Sequence, residues 1–318
     1  MNKGQFYIIT SLLLIAFIVF QFKDNNNSLP QSLGEPLELV IVSKESTLMS
    51  QMQDTLESLL LVDIGPAPQS EHGLSITSIT NNNFKGLFKR HQNICFLYEG
   101  DTFGIKIRKN LFALNQLAIV INAPTVQSLI DNKVQILQLE EKVKREERYR
   151  LISAFSPSSN TSINKKIYET HNLNITVPGN FFLAYSNPET TWIRRETNKI
   201  SQGIIFVNTP SHNYVNNIDS ALFLIDSLLA LHVSGPNVDS YMSIEKTAPI
   251  QLEISNISSL QSIRVQSLWT MENDFMGGIF ALYVFKNHLI YAYVYAPDQL
   301  KSPLVNQLDA IIQTIDSD

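Results

Sequence analysis

Residues 267–280 read SLWTMENDFMGGIF, and the fold follows from how this stretch is read. It begins as an apolar strand around Trp269 and turns through Glu272, Asn273 and Asp274. It then offers Phe275 and Met276 and runs through Gly277-Gly278 into the strongest β pattern of the chain. Paired glycines between strands predict a bulge or sharp bend at positive φ. The functional reading is close approach of a partner backbone, with an exposed Phe275 and Met276 as adaptable contacts.

Beyond the glycines, residues 279–285 and 288–296 predict two strands joined at Lys286-Asn287, a tight hairpin. Tyr291, Tyr293 and Tyr295 share one face of the second strand. A last helix follows, with Ser302 as its cap, Pro303 in its first turn and Leu304, Leu308, Ile311, Ile312 and Ile315 as its buried stripe. Before residue 267, Ile218, Leu222, Ile225, Leu228 and Leu229 mark an amphipathic helix closed near Gly235-Pro236. Residues 192–196, WIRRE, place Trp192, Arg194 and Glu196 on one strand face. Trp192 is expected half-buried at a sheet edge; with Arg194 it could also form a binding patch, where Trp and Arg are enriched.

Toward the N-terminus, residues 37–42 are an apolar strand, Ser43 can cap the helix after it, and Gly65-Pro66 closes that helix. Residues 74–79, 93–98, 104–107 and 117–121 read as further strands. Pro124-Thr125 opens a long helix ending in EEKVKREERYR at 140–150, nine charges in eleven residues. Glu140/Lys144, Glu141/Arg145 and Glu146/Arg150 are favourable i,i+4 pairs, so a solvated helix extension is expected. Residues 156–160, SPSSN, break the pattern.

The 318 residues suffice for two domains, and 44% hydrophobic content supplies their cores. A net charge of −5 gives no footprint for nucleic acid, and no polybasic run addresses anionic lipid. Cys95, the single cysteine, excludes an intramolecular disulfide and a Cys-rich metal site; it reads as a buried apolar residue. The six histidines lack metal-ligand spacing, and the twelve glycines form no phosphate-cradling or dinucleotide loop, so no metal or cofactor is expected. Glu272 and Asp274 could act as acid and base, but such catalysts normally come from separate elements across a cleft. A turn cap is the plainer role for Asp274.

Residues 6–22, FYIITSLLLIAFIVFQF, carry no charge and span ~25 Å as a helix. Bulky residues at the end of the run argue against cleavage, and Lys3 favours an N-terminus in the cytoplasm. A polar tether at 23–35 follows.

LWTMENDFMGGIF at 268–280, YAYVYAPDQLKSPLVNQLDAIIQTI at 291–315, NLFALNQLAIVINAP at 110–124 and PQSEHGLSI at 68–76 resemble a family of uncharacterised bacterial cell-envelope proteins. That family is defined by a domain of unknown function, and many of its members look like lipoproteins. This chain lacks a lipidation cysteine, and its apolar anchor would substitute. The C-terminal half also looks loosely similar to the PsbP-type α/β sandwich, a fold used for binding and assembly.

The expected architecture is α+β: a cytoplasmic end at 1–5, a transmembrane anchor at 6–22, the tether at 23–35, and two sandwich-like domains at 36–155 and 164–318, with mainly antiparallel sheets. The expected role is non-catalytic binding or assembly of a partner protein or envelope polymer on the periplasmic side. Trp192, Arg194, Trp269, Asp274, Phe275, Met276, Gly277 and Gly278 are the candidate contacts. The competing reading is a hydrolase of cell-wall or lipid material using Glu272 and Asp274.

Overall fold

The computed structural model describes residues 29–210, 214–258 and 260–316. The span expected at 6–22 lies outside them. Among the described residues, no helix is long and apolar enough to cross a bilayer.

The first unit is built on β1 (Glu38–Ser43), β2 (Ser75–Thr80), β3 (Asn93–Glu99), β4 (Gly104–Lys109) and β5 (Leu117–Ala123), ordered β2-β1-β3-β5-β4. The β1–β2, β1–β3 and β3–β5 pairs are parallel, and β4–β5 alone is antiparallel. This corrects the expectation of an antiparallel sheet. Helix α1 (Thr47–Leu60) returns the chain between β1 and β2, and such a crossover makes neighbouring strands parallel. Ser46 caps α1 by accepting from the Met49 amide at 3.2 Å, while Ser43 instead donates to Gln53 at 2.7 Å.

Helices α1, α2 (Val126–Asp131) and α3 (Lys133–Phe155) cover one face of this sheet, packing Met52, Leu56, Leu129 and Ile136 on Leu39, Ile41, Cys95 and Ile119. Burial pushes the Cys95 thiol up to about 12, so it stays protonated and inert. The opposite face, Val40, Val42, Ile94 and Phe96, is topped by Phe84, Leu111 and Phe112 from loops.

The charged stretch of α3 is not a solvated extension. Glu140, Glu146, Glu147 and Arg148 are all buried. Glu140 pairs with Lys144 at 2.6 Å as expected, but Glu146 takes Lys109 and Lys142, both at 2.8 Å, and Arg150 takes Glu147 at 2.7 Å. Alternating signs let the helix satisfy much of its own charge while packing between two bodies, and Lys109, Asn306 and Gln313 supply the rest. Its last turns, with Leu151, Ile152 and Phe155, join the core of the second unit.

That second unit contains α4 (Thr161–His171), β6 (Phe182–Ser186), β7 (Thr190–Glu196), β8 (Ser201–Asn208), α5 (Ile218–His232), β9 (Tyr241–Ile244), β10 (Gln251–Ile257), β11 (Leu260–Glu272), β12 (Gly277–Val284), β13 (His288–Tyr295) and α6 (Ser302–Ile312). Its sheet runs β10-β11-β12-β13-β8-β7-β6, with β9 on the far end of β11, and every pair is antiparallel. Strict alternation sends Ala281, Tyr283, Ile290, Ala292 and Phe206 to one face, under α4 and α6. Phe280, Leu282, Leu289, Tyr291 and Val207 go to the other, under α5. The hairpin at Lys286-Asn287 is present, with Phe285 N–H donating to His288 O at 2.9 Å.

Two details depart from expectation. Ser302 does not cap α6. The amides of Lys301 and Ser302 donate to the Glu71 carboxylate at 2.9 and 2.6 Å, and Ser302 Oγ donates to Gly73 O at 3.1 Å. A carboxylate of the first unit thus satisfies the helix start of the second. Trp192 lies on β7, an interior strand, and is buried rather than half-buried at an edge.

Candidate functional site

Helix α5 and β9 cover only part of their face of the antiparallel sheet. The uncovered part is a groove of about 510 Å³. Trp269 of β11, Tyr293 and Tyr295 of β13, and Met242, Met271 and Met276 form its apolar lining. Arg194, Glu196, Lys199 and Asp298 supply charges of both signs around it.

Trp269 organises the floor. Its indole N–H donates to Val294 O at 3.2 Å, and its ring lies 5.9 Å from Tyr293 and 6.2 Å from Tyr295. This geometry explains Gly278, which pairs with Trp269 across β11 and β12. A Cβ there would stand 2.0 Å from Val294 O and 2.8 Å from Trp269 Nε1. Neither Gly277 nor Gly278 has positive φ. The expected glycine bend is therefore corrected: Gly278 makes room for the chain's own indole and carbonyl, and the left-handed residue of the turn is Asn273 at φ 59°. Gly203 plays the same part under Tyr293, whose nearest ring carbon would lie 2.2 Å from its Cβ.

Arg194 reaches the groove from β7. Its guanidinium sits 5.1 Å from the Trp192 ring and 5.9 Å from Phe182, and it is ion-paired with Glu196. Trp192 and Tyr293 pack in one apolar cluster, so Trp192 supports the groove from below. Two candidate patches, far apart in the chain, are thus brought together: Arg194 and Trp269 with Met276 line one cavity. Tyr293 is the principal contributor not singled out beforehand as a contact. The signal for it was the one-face alternation of Tyr291, Tyr293 and Tyr295.

The turn at 272–276 forms the lip. Asp274 accepts from the Phe275 amide at 2.6 Å and from Asn237 Nδ2 at 2.8 Å, and Asn273 Nδ2 donates to Asp239 O at 3.1 Å. Asp274 is therefore the turn cap that its position suggested, and it ties the turn to the loop after α5. Glu272 accepts from Ser243 Oγ at 2.8 Å. Neither carboxylate lines the groove. Phe275 is fully exposed, at 106%, and Val238 of the tied loop is 88% exposed. Met276 is half-buried against the core.

A second cavity, of about 500 Å³, lies between the units, between α3, α6 and the β10–β11 hairpin. Its arginines are fully engaged. Arg148 donates to Asn306 at 2.9 Å and Gln313 at 3.1 Å and pairs with Glu141. Arg264 pairs with Asp309 at 3.2 Å and Glu253 at 3.0 Å. Burial works against the Arg264 charge, but Asp309 more than restores it, holding the guanidinium protonated. This cavity reads as a joint.

Residues 32–155 match the model of a domain of unknown function (DUF8532), and residues 160–314 match another (DUF4837). The two matches are consecutive along the chain. No curated protein matches it. A crystal structure from Bacteroides thetaiotaomicron VPI-5482, at 1.50 Å resolution, is 9% identical over 46% of this chain and 45% of its own, with a TM-score of 0.27. A likeness that weak carries no argument.

Proposed function

We propose that this is a membrane-anchored envelope protein, held by residues 6–22 with its bulk on the periplasmic side, that binds an extended apolar segment of a partner protein in the groove over Trp269. The observation that carries the reading is the convergence of Arg194, Trp269, Tyr293, Tyr295 and three methionines on one open groove. Trp, Tyr and Arg dominate the energetics of protein contacts, and methionine adapts to varied side chains. The volume suits a chain segment or small ligand. Exposed Phe275 and Val238 extend the apolar surface past the lip. The anchor is supported by residues 6–22, where each aliphatic residue near the centre favours insertion by ~0.3–0.6 kcal/mol.

The test is site-specific photo-crosslinking in intact cells from a probe at Tyr295. One discrete protein adduct is expected. It should vanish with Phe275→Ser plus Met276→Ser while the unfolding transition is retained. A glycan adduct would turn the reading to an envelope polymer. No adduct, or one indifferent to the double change, would remove the groove as a binding site.

A further inference from the structure

The loop-covered face of the parallel sheet presents a second, differently charged surface. A cleft of about 540 Å³ is floored by Phe84, Phe96, Tyr98 and Phe112, and the charged residues lining it are Lys89, Lys106 and Arg108, all cationic. The aromatic rings form one cluster, Phe84 lying 5.1 Å from Phe96 and 5.6 Å from Phe112. Lys89 Nζ stands 5.9 Å over Phe112. Lys106 and Arg108, two residues apart on the edge strand β4, share one face and line the cleft together with Lys89. Beside the cleft a single 3₁₀ turn, Gly86–Arg90, raises Leu87 and Phe88 into solvent, at 67% and 37% exposure, between Lys85 and Lys89-Arg90. In a chain of net charge −5 this concentration of cations is local. No basic run announces it, because Lys89 and the Lys106/Arg108 pair come from separate segments.

The chain enters the fold at this same edge. Leu114 N–H donates to Pro30 O at 2.8 Å, Ser32 N–H to Leu114 O at 3.1 Å and Leu33 N–H to Arg90 O at 2.9 Å. Arg90 holds Gln31 O with Nε and Nη2 at 3.2 and 3.0 Å. The apolar run ends at residue 22, and the eight residues from there to Pro30 reach at most ~28 Å. The turn at 86–90 is therefore tied, through Arg90, to the point where the anchor delivers the chain.

We propose that this face docks on an anionic lipid surface. Leu87 and Phe88 enter the interfacial zone, Lys85 binds lipid phosphate beside them, and Lys89, Lys106 and Arg108 draw a headgroup into the aromatic-floored cleft. Cations near a membrane surface each strengthen such attraction by roughly five-fold, and the attraction falls off within a Debye length. The orientation rests on the membrane reading of residues 6–22; the charge and shape of the face do not.

The experiment uses the full-length protein carrying Leu87→Cys labelled with an environment-sensitive fluorophore. Cys95 is fully buried and stays unlabelled. The protein is reconstituted with vesicles of phosphatidylcholine alone or with one third phosphatidylglycerol. The expected result is co-flotation with both, and a blue-shifted emission at position 87 in the anionic vesicles that Lys89→Glu plus Arg108→Glu abolishes with the unfolding transition unchanged. Co-flotation with both but water-like emission at position 87 overturns the docking and leaves the anchor. Flotation with anionic vesicles alone, with the blue shift, overturns the anchor and leaves the docking. Flotation with neither overturns both, and equal shifts in both vesicles overturn the role of charge.

Discussion

The parallel sheet of the first unit and the antiparallel sheet of the second both bury apolar strands, yet they leave different surfaces open. In the first, α1, α2 and α3 gather on one face, so loops close the other and leave an aromatic floor under cations. In the second, helices lie on both faces, but α5 and β9 are too short to cover theirs, and the remainder is an aromatic and methionine groove with mixed charges. One sheet offers a cationic face beside the first described residues of the chain, the other a neutral groove elsewhere. Each sheet's open surface here is what its own helices fail to cover.

The sharpest way to break this contrast is to deform the second sheet alone. Gly278→Ala places a methyl against a ladder carbonyl and the Trp269 indole. A loss of about 3–4 kcal/mol is expected, because backbone cannot yield cheaply. Gly277→Ala, whose Cβ would lie 3.1 Å from Trp269 O, should cost clearly less. Denaturant unfolding checks both; equal effects would mean that the indole does not set the constraint.

Acid offers the next largest effect. His171, between α4 and the sheet, exchanges hydrogen bonds with Asn208 at 2.7 Å and Thr191 at 2.9 Å. Burial drives its pKa down to about 4 from 6.5, against the Asn208 bond. The folded state holds it neutral while the unfolded chain binds the proton, so its contribution is complete above pH 6.5 and is lost as pH falls toward 4. The loss is on the order of 3 kcal/mol. Unfolding midpoints against pH should slope downward over that window, and His171→Gln should flatten the slope.

Glu71 measures how far the two units are coupled. Glu71→Ala strips the start of α6 of its carboxylate and should cost about 1–2 kcal/mol. If the joint couples the units, a single unfolding transition should split in two. At the small end, Phe275→Ser should leave stability within ~0.5 kcal/mol, since a fully exposed side chain supports no core. A larger loss by thermal unfolding would place Phe275 in the fold rather than on an exposed lip.

Much of this was legible beforehand. Period-two alternation at 279–296 announced the central hairpin and its one-sided tyrosines, and helical spacing at 218–229 announced α5. The strand-helix-strand order at 37–79 implies a parallel pair, which the expectation of mainly antiparallel sheets passes over. Asp274 was readable as a cap because its bond to the Phe275 amide is local. Gly278 was not readable, since the atoms it makes room for come from Trp269 and Val294 on two other strands.

By itself, the sequence determined most of the elements (though not the break at Asn132 that splits the helix expected after Thr125), the exposed Phe275 turn, the inert cysteine and the apolar run at 6–22, because periodicity, burial preference and turn chemistry act over a few residues. Only the tertiary structure decided that EEKVKREERYR is a buried joint, that Glu71 caps a helix 230 residues away, and that Arg194 shares a groove with Trp269. Each depends on charges, donors and rings from distant segments meeting in space, and no local pattern records which partner a side chain will find.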